Sequence, residues 1–442
     1  MRESTGAPGR LARGTSRHSD PMTADTGDLR DAARLGGEAL AGVAGAIRDT
    51  HLAIARRAFT LSGPPAKPVR LVHDTISTGV YGAVRVALST GARVGGAVIA
   101  TGRAARPAYK PVADRRRGNV VVGAINGAWG DRLARTGNRL ALTMSVRHRD
   151  SDVAVEREAL AAAYPDATGD VAVWLHGLCE TDASWRLGAL KHHGDAGSTH
   201  GSRLHGECGL TSVYLRYNTG RHISDNGADF AALMTKLVEQ WPVPISRLTL
   251  IGHSMGGLVI RSACHAATDS GDPSWLTLTK RVVYLGAPHL GAPLELGAVA
   301  ATRALRRLPE TRALGDALAS RSVGIKDLRY GDVLAADWVS VDDMDAWRVE
   351  PSECAPLLES ADHYYIGVTI GREREGLAAR VVGDALVLWT SASGSGKRRT
   401  LGLRLDRGRH LGGLHHFDLL NHPRVYAVLR EWLVDDDGAL RS

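Results

Sequence analysis

The chain has few cysteines, few lysines and no long apolar run. Its four cysteines are scattered without the regular spacing of a disulfide framework, so we expect free thiols; they are Cys179, Cys208, Cys264 and Cys354. No stretch reaches the roughly 18 consecutive uncharged apolar residues that a membrane-spanning helix needs. The sequence therefore predicts neither a disulfide-stapled scaffold nor a transmembrane helix.

Lysine is so scarce that only seven of the 55 basic residues are lysine. This bias suits a GC-rich genome better than an adaptation to phosphate contacts. In the basic region at 27–149, no aromatic residues alternate with the arginines to offer stacking platforms for bases, so nucleic-acid binding is not expected. The 44% hydrophobic and 23% charged residues are typical of a soluble globular protein with a large core.

The charge is distributed unevenly along the chain. Residues 1–149 hold 24 Lys/Arg against 10 Asp/Glu, a net charge of +14, whereas residues 150–442 hold 31 against 37, a net charge of −6. Residues 1–26 are rich in Arg, Ser, Gly and Thr and lack the apolar segment of a secretory signal, so we expect a disordered basic tail. With no secretory segment, the expected compartment is the cytoplasm.

Residues 27–149 are predicted to form a helical basic region before the main domain. Apolar residues recur there at helical spacing over 28–60, over 71–100 and from 120 to about 145. Two interpretations of this region stay open. In the first, the helices pack on the rest of the chain or on one another. In the second, their basic amphipathic surface makes peripheral contact with an anionic membrane.

The most informative stretch is residues 247–261, which read RLTLIGHSMGGLVIR. Its start is typical of a buried strand and its end of a helix. Between them lies a G-x-S-x-G pattern formed by Gly252, Ser254 and Gly256. A serine on a strained strand-to-helix turn exposes its hydroxyl, and side chains in place of the two glycines would collide with neighbouring backbone. Ser254 is therefore the candidate nucleophile.

A second strand-like run, residues 171–175, leads into His176-Gly177 and then Leu178. The oxyanion formed after serine attack needs two backbone N–H donors. One comes from the residue after the nucleophile and the other from a loop after an earlier strand. The predicted donors are therefore the N–H groups of Met255 and Leu178.

A serine nucleophile also needs a histidine base and a carboxylate that orients the base. His415 and His416 lie in a glycine-flanked loop before a predicted C-terminal helix, and both are candidate bases. Asp384 lies in a loop near the end of a predicted strand, where an orienting carboxylate is needed. Other carboxylates compete with it but are more typical of solvated loops: Asp337, Asp342, Asp343, Asp345, Asp362 and Asp406.

Several motifs in this order resemble the α/β-hydrolase superfamily, specifically its bacterial lipase and esterase branch. The resemblance covers about residues 171–433 and rests on His176-Gly177, on GHSMGG at 252–257 and on LGAPHLG at 285–291. Two positions depart from the pattern, since Ala287 stands where many lipases carry threonine and Ala385 follows Asp384. Lipase-like chains have a histidine directly before an apolar run such as Phe-Asp-Leu-Leu, so the resemblance favours His416 over His415.

The resemblance implies a doubly wound, mostly parallel sheet in residues 150–442, with a cap inserted at about 293–362. It implies a Ser254–His416–Asp384 triad that cleaves a carboxylic ester with a hydrophobic acyl group through an acyl-enzyme, without metal or organic cofactor. Two alternatives remain. The triad could transfer the acyl group to an alcohol, or the chain could be a non-catalytic, membrane-associated scaffold that has kept the fold.

Residues 191–209 form a polar stretch with several metal-binding residue types. It contains His192, His193, His200, His205 and Cys208. Their spacing matches no recognised zinc pattern. We interpret the stretch as a solvated loop.

Overall fold

The computed structural model describes residues 116–272, 274–292, 321–339, 355–373, 384, 386–396 and 399–434. The predicted tail at 1–26 and the predicted helices at 28–60 and 71–100 lie outside these residues. Much of the predicted cap also lies outside them, because only 321–339 and 355–362 of its residues are described.

Within the described ranges, eight strands form one sheet with the order β2-β1-β4-β3-β5-β6-β7-β8. The strands are β1 (Ser145–His148), β2 (Ser151–Val153), β3 (Asp170–Leu175), β4 (Thr211–Arg216), β5 (Arg247–His253), β6 (Thr279–Leu285), β7 (Asp362–Thr369) and β8 (Gly408–Gly412). Strands β3 to β8 pair in parallel, whereas β1 pairs antiparallel with both β2 and β4. The predicted doubly wound, mostly parallel sheet is confirmed.

Helices cover both faces of the sheet. They are α1 (Arg116–Arg135), α2 (Arg157–Ala163), α3 (Ala189–His193), α4 (His200–Cys208), α5 (Ile223–Gln240), α6 (Met255–Asp269), α7 (Val323–Asp327), α8 (Ala336–Val339), α9 (Trp389–Ala392) and α10 (Pro423–Leu433). Short 3-10 helices lie at Asp182–Arg186, Leu405–Arg407 and His416–Leu420. Among the described helices, none combines the length and the apolar character needed to cross a membrane.

Strand β3 shows why two separate cores form. Successive side chains of a strand point to opposite faces of the sheet. Val171 and Val173 therefore join the core under α5 and α6, whereas Ala172 and Trp174 join the core under α4 and α10. All four are fully buried, which explains the uninterrupted apolar run that is typical of parallel strands covered on both faces.

The order of the central strands reverses at β3. The chain runs from β3 to β4 on one side and then crosses to β5 on the other side of β3. At such a reversal, the loops after the two central strands diverge and leave a crevice at the carboxyl ends. In this chain, the reversal lies between the loop after β3 and the turn after β5.

The segment before residue 150 belongs in part to this sheet. The helix predicted from 120 to about 145 ends at Arg135, followed by Gly137 with φ of +62°. β1 then pairs with β2, where Val146 lies opposite Val153. The domain boundary predicted at residue 150 thus falls inside a hairpin of the sheet.

The interpretation of residues 191–209 as a solvated loop is wrong. Most of the stretch forms the end of α3 and all of α4. Thr199 begins α4 because its side chain accepts the N–H of Ser202, and Leu204 anchors the helix in the core. His200 is fully buried and donates from Nε2 to the Leu419 carbonyl at 3.2 Å. Burial lowers the pKa of His200 to about 3, so the ring is neutral.

Candidate active site

The candidate nucleophile lies on a tight turn between β5 and α6. Ser254 has φ of +52° and ψ of −123°, a positive-φ conformation that is unfavourable for any residue with a side chain. A Cβ at Gly252 would lie 2.5 Å from the amide nitrogen of Gly257. The turn can therefore close this tightly only with glycine at position 252, as the sequence predicted.

Gly256 brings the end of β3 against the same turn. A Cβ at this position would lie 2.5 Å from the carbonyl oxygen of Leu175 and 2.7 Å from that of His176. One residue further on, a Cβ at Gly177 would lie 2.9 Å from the Cβ of Ser254. The missing side chains of Gly256 and Gly177 thus let the loop after β3 contact the serine directly.

The candidate acid and base contact each other. His416 donates from Nδ1 to Oδ2 of Asp384 at 2.7 Å, and both residues are almost fully buried. Oδ1 of Asp384 accepts the N–H groups of Leu386 at 2.9 Å and Val387 at 2.7 Å. Three donors therefore hold the carboxylate in one orientation, and this orientation fixes the imidazole ring of His416.

His416 lies next to the chain that holds Ser254. The N–H of Ser254 donates to the carbonyl of Leu285 at 2.9 Å, and a Cβ on the next residue, Gly286, would lie 3.2 Å from Cε1 of His416. The Nε2 atom of His416 is buried and has no hydrogen-bond partner within the described part of the chain. This nitrogen is the atom that a general base would use toward the serine hydroxyl.

The competing candidates lie elsewhere. His415 is exposed, and its ring faces Asp418 rather than Asp384. Three of the alternative acids have other partners, namely the N–H groups of Val333 and Leu334 for Asp337, Arg407 for Asp362, and Arg404 for Asp406. Asp342, Asp343 and Asp345 lie outside the described residues.

Two backbone N–H groups are available at the serine, as the oxyanion prediction requires. Met255 is the first residue of α6, so its N–H has no acceptor within the helix. Leu178 lies in a turn closed by a hydrogen bond from Glu180 N–H to the Gly177 carbonyl at 3.2 Å. The N–H of Leu178 donates to no acceptor among the described residues, whereas the N–H of Cys179 donates to Oγ1 of Thr219.

The buried ring of His176 stabilises this loop through hydrogen bonds. Its Nδ1 donates to the Gly177 carbonyl at 3.0 Å, and its Nε2 accepts the N–H of Tyr217 at 3.3 Å. The Tyr217 hydroxyl donates to the His176 carbonyl at 2.7 Å, and the two rings stack with centroids 4.4 Å apart. Burial lowers the pKa of His176, which suits this neutral tautomer.

The connections around the site decide the fold. The nucleophile turn follows β5 at the strand-order reversal, the acid follows β7, and the histidine follows β8. The fold is that of an α/β-hydrolase. In this α/β-hydrolase fold, the candidate residues Ser254, Asp384 and His416 all lie beyond the carboxyl ends of parallel strands.

Solved structures similar to this chain include three enzymes. No protein-family model matches the sequence, and no curated protein is significantly similar to it. The mature lipase BlEst2 of Bacillus licheniformis is 16% identical, with a TM-score of 0.36 over 59% of this chain and 91% of that one. Lipase B of Aspergillus fumigatus is 11% identical, with a TM-score of 0.36 over 64% of this chain and 58% of that one. Phospholipase PlaB of Legionella pneumophila is 13% identical, with a TM-score of 0.36 over 60% of this chain and 59% of that one.

Helix α1 contacts the candidate oxyanion loop, which the sequence did not predict. A Cβ at Gly123 would lie 3.0 Å from the Glu180 carbonyl oxygen, and one at Gly127 would lie 2.2 Å from Sγ of Cys179. Cys179 itself has φ of +62°, a strained conformation for a residue with a side chain. The spacing of Gly123 and Gly127 on one helical face was the only sequence signal of this contact.

The loop at Ser322, from the predicted cap, also contacts α1. Its hydroxyl donates to the Gly127 carbonyl at 2.6 Å, and its N–H donates to the Ala128 carbonyl at 2.9 Å. These two carbonyls precede Trp129, where the helix is kinked. The side chain and backbone of Ser322 thus satisfy acceptors that the kink takes out of the helical ladder.

Two further findings concern the sulfur and histidine side chains. Cys179, Cys208 and Cys264 are free thiols, as predicted, and Cys354 lies outside the described residues. Within the described ranges, no three His, Cys, Asp or Glu side chains come together in a way that could hold a metal ion. Glu180 and His253, which were given no role from the sequence, form a buried pair directly behind the Ser254 turn.

Proposed function

We propose that this chain is a serine hydrolase that cleaves carboxylic esters with a hydrophobic acyl group. The observation that carries the proposal is the buried Asp384–His416 pair beside a serine held at positive φ. Both features are unfavourable for folding alone, because strained backbone and buried ionisable groups each reduce stability. A purely structural role, as in a non-catalytic scaffold, would not require them together.

In the proposed reaction, Nε2 of His416 takes the proton of the Ser254 hydroxyl as its oxygen attacks the ester carbonyl. The N–H groups of Leu178 and Met255 hold the oxyanion of the tetrahedral intermediate. His416 then returns the proton to the leaving alcohol, and an acyl-enzyme remains on Ser254. Water then attacks the acyl-enzyme while Nε2 of His416 takes one of its protons. His416 passes this proton to the Ser254 oxygen as the free acid leaves. Asp384 stabilises the imidazolium of His416 that forms during the reaction.

Apolar side chains beside the reacting groups support a hydrophobic acyl substrate. Leu178, a proposed oxyanion donor, is only partly buried, and Phe417 next to the base exposes 43% of its surface. Both can contact a substrate that reaches the serine. Apolar surface with a few convergent polar groups is the usual composition of a small-molecule site.

The test is hydrolysis of p-nitrophenyl esters over a series of acyl chain lengths. We expect wild-type activity with an optimum at long or medium chains, and its nearly complete loss in Ser254→Ala and His416→Ala. His415→Ala is the matched control, because it removes the neighbouring histidine without touching Asp384. Activity that survives Ser254→Ala with folding intact would contradict the proposal.

Acyl transfer to an alcohol uses the same residues, so the test includes a measurement that separates the two reactions. Wild-type protein is incubated with ester substrate in the presence of glycerol or a long-chain alcohol, and the products are identified. Free acid as the main product supports the hydrolase. A new ester as the main product would assign the chain as a transferase instead.

A further inference from the structure

A second carboxylate–histidine pair lies behind the nucleophile turn. Nδ1 of His253 lies 3.0 Å from Oε2 of Glu180, and both side chains are buried. The same Glu180 oxygen accepts the N–H of Gly177 at 2.7 Å. On its other side, Nε2 of His253 lies 3.3 Å from the carbonyl oxygen of His416. The pair therefore joins the loop after β3, the turn after β5 and the loop that carries the base.

The hydrogen-bond partners of His253 define its charge state. A carboxylate and a backbone carbonyl only accept hydrogen bonds, so both ring nitrogens of His253 must donate, and only the imidazolium can do so. Burial alone would lower the pKa of His253, but the charge and hydrogen bond of Glu180, together with the His416 carbonyl and the charge of Asp384, raise it. Burial would likewise raise the pKa of Glu180, but the charge and hydrogen bond of His253 and the hydrogen bond from the Gly177 N–H lower it.

The ionisable groups around this pair belong to four segments. On the Glu180 side, His176 and Cys179 lie in the loop after β3, and Tyr217 follows β4. His253 faces Glu180 from the loop after β3, Asp384 from the loop after β7, and His416 from the loop after β8. The ring centroids of His253 and His416 are 4.7 Å apart. The rings of Trp185 and His253 pack edge to face, with their centroids 6.3 Å apart. A charge on His253 without its counterion would therefore lie close to the base that must itself become positive.

We propose that the Glu180–His253 ion pair is a positioning unit that fixes the Leu178 N–H and the His416 main chain relative to Ser254. Glu180 accepts a hydrogen bond from the Gly177 N–H, so it orients the turn that contains Leu178. His253 precedes Ser254 in the chain and holds the His416 carbonyl, so it sets the distance between nucleophile and base. Neither residue touches the substrate. This inference rests on the proposed hydrolase function.

The kinetic test compares Glu180→Gln and His253→Gln with His265→Gln. His265 is the matched control, because it also pairs with a carboxylate, Asp269 at 3.0 Å, but lies partly exposed on α6 far along the helix from the serine. We expect kcat to fall by roughly 10- to 100-fold in the first two variants with KM nearly unchanged, since displacement of catalytic groups by about 1 Å has effects of this size. The control should keep wild-type kcat.

The pH profile of kcat/KM separates positioning from simple structural support. In His253→Gln, the positive ring that lies 4.7 Å from the ring of His416 is lost while the charge of Glu180 remains, which should move the acid limb of the profile to higher pH. The double variant Glu180→Gln/His253→Gln should restore the acid limb while kcat stays low. Lower thermal stability with an unchanged kcat and an unchanged acid limb would overturn the proposal.

Two measurements on the wild-type protein keep this inference separate from the proposed function. Covalent labelling of Ser254 by a fluorophosphonate tests the hydrolase first, and failure to label would contradict the proposed function. Nitrogen-15 NMR of the wild-type protein labelled with carbon-13 and nitrogen-15 then measures the protonation of the pair directly, with the His253 ring signals assigned through bonds from its own backbone. We expect both ring nitrogens of His253 to carry protons at neutral pH. A ring with one unprotonated nitrogen would overturn the ion pair even if every variant failed to fold.

Discussion

Gly127 of α1 lies directly against Cys179 of the loop after β3, so close that a Cβ at Gly127 would come within 2.2 Å of Sγ and 2.9 Å of Cα of Cys179. Cys179 is adjacent to Leu178, whose N–H is a proposed oxyanion donor. The first helix described in the structure is therefore packed on the candidate site. Its position sets how far the loop after β3 stands from Ser254.

Gly127→Ala should impair catalysis more than folding. The added methyl group must displace Cys179 and with it the N–H of Leu178, so we expect kcat for a p-nitrophenyl ester to fall by roughly tenfold or more. Gly206→Ala is the matched control, because it lies within α4 and a Cβ there meets no atom within 4 Å. Equal kcat values for the two variants would show that α1 does not set the oxyanion loop.

Gly256→Ala should destabilise the protein as well as inactivate it. The new Cβ would lie 2.5 Å from the carbonyl oxygen of Leu175 in the central strand β3, which cannot move without disturbing the sheet. Overpacking of this kind reduces the free energy of unfolding by about 1–3 kcal/mol. Urea unfolding measures this loss, with Gly206→Ala again as the control. A stability equal to that of wild type would mean that the turn tolerates a side chain.

Asp384→Asn should abolish most activity while the fold persists. An asparagine can still accept the N–H groups of Leu386 and Val387, but it no longer carries the charge that holds His416 with its Nδ1 protonated. We expect kcat to fall by roughly 10⁴-fold, the effect known for this change in serine triads. Asp406→Asn, which removes a surface partner of Arg404, is the control and should leave kcat unchanged. Retained activity in Asp384→Asn would assign the acid to another carboxylate.

The stability contributed by the Glu180–His253 pair should depend on pH. Because the pKa of His253 is raised, its contribution is complete below the unfolded value of 6.5 and is lost as pH rises through the folded pKa. Because the pKa of Glu180 is lowered, its contribution is complete above the unfolded value of 4.5 and is lost as pH falls through the folded pKa. The pair therefore stabilises the fold most between these two values.

Urea unfolding of wild type and His253→Gln at several pH values measures this dependence. At about pH 5.5 we expect the variant to be less stable by about 3–5 kcal/mol, the usual effect of breaking a buried ion pair. The difference should shrink as the solution becomes alkaline. His265→Gln, a change at the surface of α6, should stay within about 0.5 kcal/mol of wild type. If His253→Gln lowered the free energy of unfolding by the same amount at about pH 5.5 and in alkaline solution, the result would contradict a charged pair.

The sequence predicted the parts of the fold that short patterns encode. The strand at 171–175 is confirmed within β3, because buried parallel strands carry uninterrupted apolar runs. The turn at Ser254 was equally predictable, since its strained geometry demands glycine at fixed offsets. Residues 191–209 were misassigned because their polar composition concealed the helix start at Thr199, which depends on one side chain and its position.

What the sequence determined by itself was therefore local: the nucleophile turn, the loops that carry Asp384 and His416, and the strands before them. Tertiary structure alone decided the relationships between distant segments. The hydrogen bond from Asn119 to Asp182 and the pair of Glu180 with His253 join residues 63 and 73 positions apart. Hydrophobic period and turn chemistry describe one segment at a time, so they cannot specify which buried carboxylate meets which histidine. That choice follows from the strand order, which brings the loop after β3 beside the turn after β5.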